Sequence, residues 1–386
     1  MNEPRAFTAP TVRCPNCERD VPRGAYCGAC GAHLAAGSGV TPHRHQAYAA
    51  DPDQHMIYPS VISTLFPHIP HRRMLPFQEA LAVITVLLVL LGLLRWTGPS
   101  IALASLAVPV LYLVYLYEVE VYEDEPVLVI GATVVFGALL GTVWAYFSGP
   151  TLTDILLRNT VFGASFSRII EGGVLLPLVA QVLMLAGAMV LFTRRRYDEA
   201  LDGFTFGAAG ALGFTAAETL VNLLPSLRDG LTSSASSTDS LLIILTRGLC
   251  VPLVNAGLTG LVAGALWLQR GPIRRLRYHR LLVSLGTVLI GTIALRVALG
   301  VAAVVLADPL SSIAAFGGAT ILVLVWVRVA IHHMLLTEAV EVPIGPDFPC
   351  SHCHALVPRM AFCPNCGIAT RATPKTGAGR AGRAVR

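Results

Sequence analysis

Long apolar runs separated by short polar segments dominate the chain between residues 78 and 336. A transmembrane helix needs about 20 consecutive apolar residues to cross the hydrocarbon layer, and eight runs come close to or exceed that length. They are residues 78–95, 99–117, 127–148, 172–193, 203–224, 242–269, 281–306 and 310–336. The less apolar residues 151–171 are predicted to form an amphipathic helix that leads into the fourth span. The pattern therefore predicts an all-α polytopic membrane protein.

The composition agrees with a membrane location. The chain of 386 residues is 54% hydrophobic and 13% charged, whereas soluble domains carry roughly a quarter charged residues. Arginines cluster at 194–196 and 270–280, in loops that eight spans place on the same side as the N-terminus. The positive-inside rule therefore predicts a multi-pass protein with both termini in the cytoplasm, and we expect the membrane to be a bacterial-type inner membrane. The first 60 residues contain no apolar signal-peptide segment, which favours the same orientation.

Two groups of four cysteines bracket the apolar region, and both have the spacing C-x2-C-x9-C-x2-C. They are Cys14, Cys17, Cys27 and Cys30 in the first group and Cys350, Cys353, Cys363 and Cys366 in the second. Two C-x2-C turns present four thiolates that close around one tetrahedral Zn²⁺ ion. We expect one structural Zn²⁺ in each of two small β zinc ribbons, with a redox dithiol or disulfides as the alternative. Cys250 lies in an apolar stretch and is expected to be a buried, inert thiol.

These features divide the chain into five segments. We predict an N-terminal zinc ribbon at 11–32, a Pro/His-rich linker at 33–76, a transmembrane domain at 77–336, a C-terminal zinc ribbon at 348–368 and a disordered basic tail at 369–386. The net charge of +5 is modest, and the arginines of the ribbons are not interleaved with aromatic residues. A nucleic-acid partner is therefore not indicated.

Ionisable and amide side chains within the predicted spans are candidates for function, because burying them in a bilayer is costly. Glu218 lies in the second half of the fifth span, whose regularly spaced glycines would let a neighbouring helix approach closely. Glu171 stands at the entry to the fourth span, and Asn255 lies in the sixth. Arg296 and Arg328, in the last two spans, are expected to pair with the acids or to extend towards the interface. The alternatives are a protonated or hydrogen-bonded structural Glu218 near the outer interface, an interfacial Glu171, and an interhelical hydrogen bond for Asn255.

Three segments resemble motifs of the PrsW family of intramembrane proteases. The acidic run at 117–126 is similar to that family's Asp-x-Tyr-x-x-Glu-Pro loop, and 202–218 is similar to its Asp-Gly…Gly…Gly-Phe-x-x-x-Glu helix. Residues 252–260 resemble the next motif, in which a histidine precedes Ala-x-x-Thr-Gly. The resemblance covers about residues 110–270. It implies a helical core whose catalytic centre would bind a metal ion and activate water.

The resemblance also implies which residues form that centre. In the family it is attributed to a Glu-Glu-x-x-Lys motif, the Phe-x-x-x-Glu motif and histidines on later helices. Here Glu171 alone stands at the first motif, Glu218 keeps the second, and Asn255 replaces a histidine. An amide is a poor zinc ligand, so Glu171, Glu218 and Asn255 would form a degenerate centre. A third metal ion in the membrane core would be held weakly there.

The sequence therefore favours a non-catalytic scaffold or adaptor, a pseudoenzyme that binds membrane or cytoplasmic protein clients. The alternative is an active intramembrane metalloprotease that cleaves membrane proteins with Glu171 and Glu218. A transporter is less favoured, because no internal repeat or pair of broken helices is visible.

Overall fold

Eight helices that are long and apolar enough to cross a membrane form the middle of the described chain. The computed structural model describes residues 10–34, 48–52, 54–57, 61–65, 75–94, 96–118, 127–162, 165–194, 196–228, 241–242, 244–270, 283–306, 308–339 and 342–373. A short helix, α1 (Val61–Leu65), precedes the spans. The spans are α2 (Leu75–Leu93), α3 (Thr97–Glu118), α4 (Val127–Phe162), α5 (Phe166–Phe192), α6 (Ala200–Arg228), α7 (Thr246–Leu268), α8 (Leu285–Val305) and α9 (Pro309–Glu338). The predicted number of spans and the helical fold class are confirmed.

Polar caps define where the last two spans begin. The Ser284 hydroxyl accepts a hydrogen bond from the backbone N–H of Thr287 at the start of α8. At the start of α9 the Asp308 carboxylate accepts one from the backbone N–H of Ser311, and Pro309 occupies the first helical position. Each cap satisfies an N–H group that has no partner within the helix.

The prediction of a separate amphipathic helix at 151–171 is wrong. Residues 151–162 continue α4 through Pro150, and α5 begins at Phe166. A proline inside a helix removes one backbone hydrogen bond, and nearby hydroxyls compensate for such losses in membrane helices. The hydroxyls of Ser148 and Thr153 bond the carbonyl oxygens of Trp144 and Gly149, each at 2.8 Å, and not that of Tyr146, which Pro150 leaves without its helical donor. The lower hydropathy of this stretch therefore marks the end of a long span.

Two spans contain π-helical turns. One occupies Ile169–Leu175 in α5, and the other occupies Thr246–Cys250 at the start of α7. The first brings α5 against α8, because a Cβ added to Gly300 would lie 2.2 Å from the carbonyl oxygen of Gly173. Single π turns are rare and often occur at functional sites. The candidate Glu171 lies in the first of them.

Helix α6 lies at the centre of the bundle between α4 and α7. A Cβ added to Gly213 would lie 2.0 Å from the carbonyl oxygen of Val134 in α4. On the other side, a Cβ added to Gly207 would lie 2.7 Å from the Cβ of Ala263 in α7. Such distances require backbones in contact, which only small residues permit. The small-residue face predicted for this helix is confirmed.

The two cysteine-rich ends form small β-hairpins. In the first ribbon, β1 (Thr11–Arg13) pairs antiparallel with β2 (Asp20–Pro22). In the second, β3 (Asp347–Pro349) pairs antiparallel with β4 (Leu356–Pro358). Two strands of three residues bury too little surface to be stable alone in water. Each ribbon therefore needs additional stabilisation, from a metal ion or from a neighbour.

Each ribbon has the other as its neighbour. The backbone N–H of Tyr26 bonds the carbonyl oxygen of Pro364 at 2.9 Å, and the N–H of Phe362 bonds that of Gly28 at 3.0 Å. The second group of cysteines follows the first after 336 positions, and Phe362 and Pro364 are the residues equivalent to Tyr26 and Gly28. The two bonds are therefore reciprocal, and the ribbons are related by a local pseudo-two-fold axis. We call this pair the double ribbon.

The double ribbon is attached to the end of the bundle where α6 begins and α9 ends. The guanidinium of Arg371 contacts the carboxylate of Glu338 at 2.6 Å and that of Glu199 at 3.7 Å. Phe362 and Ala372 are buried in the same hydrophobic cluster as the membrane helices. Residues 369–373 are therefore ordered, which corrects the prediction that the tail is disordered from residue 369. Residues 374–386 lie outside the described part of the chain.

The described part of the linker also packs on α9. Arg328 donates hydrogen bonds to the Ser63 hydroxyl at 2.7 Å and to the amide oxygen of Gln54 at 2.8 Å. The backbone N–H of Ala49 donates to Nδ1 of His332 at 2.8 Å. Arg328 thus pairs with linker hydroxyl and amide groups, whereas the sequence predicted an acid or the membrane interface as its partner.

Candidate metal sites and the polar centre of the membrane domain

Each ribbon brings its four cysteines into one cluster that can hold a metal ion. The four sulfur atoms of a cluster all lie within 4.8 Å of one another. In the first ribbon Cys14 and Cys30 are 3.8 Å apart, and Cys17 and Cys27 are 3.7 Å apart. Four sulfurs in a tetrahedron around zinc, each about 2.3 Å from the ion, lie roughly 3.8 Å from one another. A disulfide would need about 2.05 Å, so the spacing fits a metal site.

The second cluster repeats the first in detail. The sulfur atoms of Cys350 and Cys366 are 3.9 Å apart, and those of Cys353 and Cys363 are 3.8 Å apart. Gly31 and its equivalent Gly367 have φ angles of +72° and +76°, a conformation that glycine adopts without strain. Their N–H groups bond the carbonyl oxygens of Cys27 and Cys363 at 2.8 Å. These left-handed turns shape the second knuckle of each ribbon around the thiols.

Side-chain amides add hydrogen bonds to the sulfur atoms. The amide of Asn16 donates to Sγ of Cys30 at 3.3 Å, and that of Asn365 donates to Sγ of Cys353 at 3.4 Å. A metal bound by four thiolates carries net negative charge, and donors to the sulfurs spread that charge. The donor set and its surroundings fit zinc, which was the metal expected from the spacing.

The structure separates Glu171 from the other two candidates for a degenerate centre, Glu218 and Asn255. Glu171 is exposed on α5, Glu218 is half-buried on α6, and Asn255 is buried on α7. The Asn255 amide donates to the hydroxyl of Thr215 at 2.7 Å. Thr215 lies one turn before Glu218, so both side chains share a face of α6. Glu218 and Asn255 therefore belong to one polar region, which we call the polar centre.

Arg296 of α8 is the charged residue that joins this region. Its Nη1 group donates to the amide oxygen of Asn255, and its Nε group donates to that of Gln181 on α5 at 2.7 Å. The Glu218 carboxylate lies near the side chain of Trp144 on α4, and the charge of Arg296 acts on it. The charge of Arg247, on the π turn of α7, also acts on Glu218. The polar centre thus contains one carboxylate with two arginines near it.

Among the residues that the structure describes, the polar centre does not bring three His, Cys, Asp or Glu side chains together. Among the described residues, the two cysteine clusters are the only groups of three or more His, Cys, Asp or Glu side chains close enough to share an ion. The amide oxygens of Asn255 and Gln181 both accept hydrogen bonds from a cation. A divalent metal ion there would be repelled by the guanidinium and would find one carboxylate, Glu218.

Sequence analysis did not identify several residues of the polar centre. Gln181, Met184, Thr215 and Thr259 all contribute, and Gln181 donates to the Thr259 hydroxyl at 3.2 Å. Gln181 is an amide in an otherwise apolar stretch of α5, and this polarity was the available signal. The acidic run that resembled a family motif lies mostly at 119–126, outside the described residues.

Comparison with known proteins identifies a family for the membrane domain. Residues 125–331, more than half of the 386-residue chain, match the family model described as PrsW family intramembrane metalloprotease. The matched region contains Glu171, Glu218, Asn255 and Arg296. Comparisons with curated proteins and with solved structures gave no match.

Proposed function

Because the chain belongs to the PrsW family of intramembrane metalloproteases, we propose that it is a non-catalytic member that works as a membrane scaffold or adaptor. The observation that carries this proposal is the ligand set of the polar centre. Glu218 is accompanied there by two amides and a guanidinium. A zinc hydrolase needs about three protein ligands and an open position for water. Asn255 and Gln181 are weak ligands whose oxygens already accept hydrogen bonds.

The position of Glu171 supports the same proposal. Its side chain is exposed on the π turn of α5, and the buried residues of that turn are Gly172 and Gly173. A second carboxylate is therefore not directed into the helix bundle beside Glu218. The proposed centre of Glu171, Glu218 and Asn255 would have to rearrange before the three could act on one peptide bond.

We propose that the ribbons hold zinc and form the cytoplasmic part of the scaffold. They are attached to the bundle by Arg371 and pack on each other, so the double ribbon can present one surface to a cytoplasmic protein. We propose with it that both termini lie in the cytoplasm and that the spans lie in a bacterial-type inner membrane. The client would be a membrane or cytoplasmic protein.

Active proteolysis is the second candidate, and family membership is the observation that favours it. On this alternative Glu218 and Glu171 would serve as acid and base or would hold a third metal ion weakly. The two candidates differ in the metal content of the membrane domain and in the effect of removing Glu218.

Metal content of the full-length protein in mild detergent separates the two candidates. We expect two zinc ions per chain in the wild type and the same two in Glu218→Ala. Glu79→Ala is the matched control, since Glu79 is an exposed carboxylate at the start of α2. A third ion that is lost in Glu218→Ala and kept in Glu79→Ala would favour the protease.

Native pull-downs test the scaffold directly, and the recovery of no protein client would count against it.

A further inference from the structure

Helix α8 carries one charged residue, an arginine that lies in the interior of the bundle. This residue is Arg296, and its relative exposure is 7%. A buried guanidinium in a membrane domain is tolerated only where its hydrogen bonds and its charge are satisfied. The partners of Arg296 therefore indicate what the side chain does.

Every nitrogen of the guanidinium has a partner. Nε donates to the amide oxygen of Gln181 at 2.7 Å, Nη1 donates to that of Asn255, and Nη2 lies 3.8 Å from the sulfur of Met184. These partners come from α5 and α7, so one side chain of α8 bonds two neighbouring helices. The planar fork of arginine suits such a multidentate arrangement better than the single ammonium of lysine does.

The two amides are oriented towards the arginine by a second layer of hydrogen bonds. The NH₂ group of Gln181 donates to the Thr259 hydroxyl at 3.2 Å, and that of Asn255 donates to the Thr215 hydroxyl at 2.7 Å. With their NH₂ groups engaged, both amides present their oxygens to the guanidinium. This is the arrangement in which outer partners orient the ligands of a bound cation.

The charge of Glu218 on α6 also acts on the guanidinium, without a direct ion pair between the two groups. The contact to α6 runs through Asn255, which accepts from Arg296 and donates to the Thr215 hydroxyl of α6. The polar centre therefore has a cation, two amide oxygen atoms directed at it, and a nearby carboxylate that Arg296 shares with Arg247. All these components are side chains of the protein itself.

We infer that the guanidinium of Arg296 takes the place of a metal ion in this membrane domain, as a built-in cation that holds α5, α6, α7 and α8 around it. The inference rests on the proposed function, because it describes what occupies the centre of a member without catalytic metal. On this inference Arg296 stabilises the bundle through its positive charge as well as through its hydrogen bonds. The positive charge is then the property that a substitution must preserve.

Thermal unfolding of the full-length protein in detergent tests the role of the charge. Arg296→Gln keeps hydrogen-bond donors and removes the charge. We expect it to lower the unfolding midpoint by roughly 10 °C, because it removes a buried cation towards which two amide oxygens and the charge of Glu218 are arranged. Arg296→Lys keeps the charge and should retain more stability than Arg296→Gln. The double variant Arg296→Gln with Glu218→Gln should be more stable than the two separate shifts predict, because the attraction between these two charges is then lost only once.

A second buried arginine provides the matched control. Arg328 is 1% exposed and bonds Ser63 and Gln54, so Arg328→Gln and Glu218→Gln should lower the midpoint additively. Additive shifts for Arg296→Gln and Glu218→Gln, or Arg296→Gln being as stable as Arg296→Lys, would overturn the inference. If Arg296→Gln is not recovered folded, Glu218→Gln is measured in wild type and in Arg296→Lys. Glu218→Gln should lower the unfolding midpoint in both backgrounds. An unchanged midpoint in both would also overturn the inference.

The metal content of the same samples distinguishes this inference from the proposed function. A third ion in the wild type would refute a metal-free centre whatever the unfolding data give. Two ions together with additive midpoints would leave the scaffold proposal standing and remove the role given to Arg296.

Discussion

The guanidinium of Arg371 contacts the carboxylate of Glu338 at 2.6 Å and thereby ties the C-terminal ribbon to the last spanning helix. Both side chains are largely shielded, with 28% and 11% of their surfaces exposed. Removing one member of a partly buried charged pair costs more than removing one on an open surface, because the remaining charge is left without its partner. The carboxylate also accepts a hydrogen bond from the backbone N–H of Ala200 at 2.7 Å, which brings the start of α6 into the same contact.

Removing this contact should loosen the double ribbon without unfolding the helices. We expect Arg371→Ala to increase amide hydrogen exchange in residues 345–373 and to leave exchange in α6 and α7 unchanged, because those helices are buried in the bundle. Arg359→Ala is the matched control, since Arg359 is exposed on the same ribbon. Equal exchange in the two variants would contradict a tethering role for Arg371.

Loss of one cysteine should unfold one ribbon and weaken the other. Cys17→Ser removes a ligand from a ribbon whose hairpin has three-residue strands, and structural zinc contributes about 10–16 kcal/mol to the folding of such modules. We expect the zinc content to fall from two ions to one. Amide exchange should rise throughout residues 11–34 and more modestly at Phe362, whose N–H bonds the first ribbon.

Cys250→Ser is the control for that experiment, because Cys250 lies in α7 outside both clusters. It should keep two zinc ions and leave exchange in the ribbons unchanged. A first ribbon that stays protected from exchange in Cys17→Ser, with one zinc ion left per chain, would refute the assignment of zinc binding as its folding energy.

The contact between the ribbons can be tested with a pair of glycines. A Cβ added to Gly24 would lie 2.5 Å from the backbone oxygen of Pro364, whereas one added to Gly28 would first meet the flexible end of Met360. Gly24→Ala should therefore separate the ribbons at a cost of about 1–3 kcal/mol, seen as faster exchange at Tyr26 and Phe362 with both zinc ions retained. Gly28→Ala should have a smaller effect. The reverse order would mean that the ribbons do not pack as described.

Features encoded in short segments could be predicted from the sequence. Apolar runs gave the number of spans, because a helix must satisfy its own backbone groups in a bilayer. Cysteine spacing identified both metal clusters, because each C-x2-C pair is a local turn. The glycines of 203–213 indicated the face of α6 that contacts its neighbours. Even the degenerate motifs around Glu218 and Asn255 pointed to the family.

Features that depend on distant residues could not be predicted. Arg296 bonds Gln181, which lies 115 positions away in the sequence. Whether the partner of Arg296 is an amide or an acid depends on how four helices are rotated about their axes. The reciprocal bonds between ribbons join residues more than 300 positions apart. The ordering of residues 369–373 follows from the contact of Arg371 with Glu338, which composition alone does not reveal. In each case the missing information was the packing of whole elements.

The close contact between α4 and α6 gives a prediction about the membrane domain as a whole. A Cβ added to Gly213 would lie 2.0 Å from the backbone oxygen of Val134, and that atom cannot move unless the helix moves. Gly213→Ala should therefore destabilise the domain by about 1–3 kcal/mol or more, measured as a lower unfolding midpoint in detergent. Gly131→Ala on α4 is the matched control, because a Cβ there meets nothing within 4 Å among the described residues. It should be neutral or slightly stabilising, since alanine favours helix. Equal midpoints for the two variants would show that the helices do not approach as closely as the structure has them.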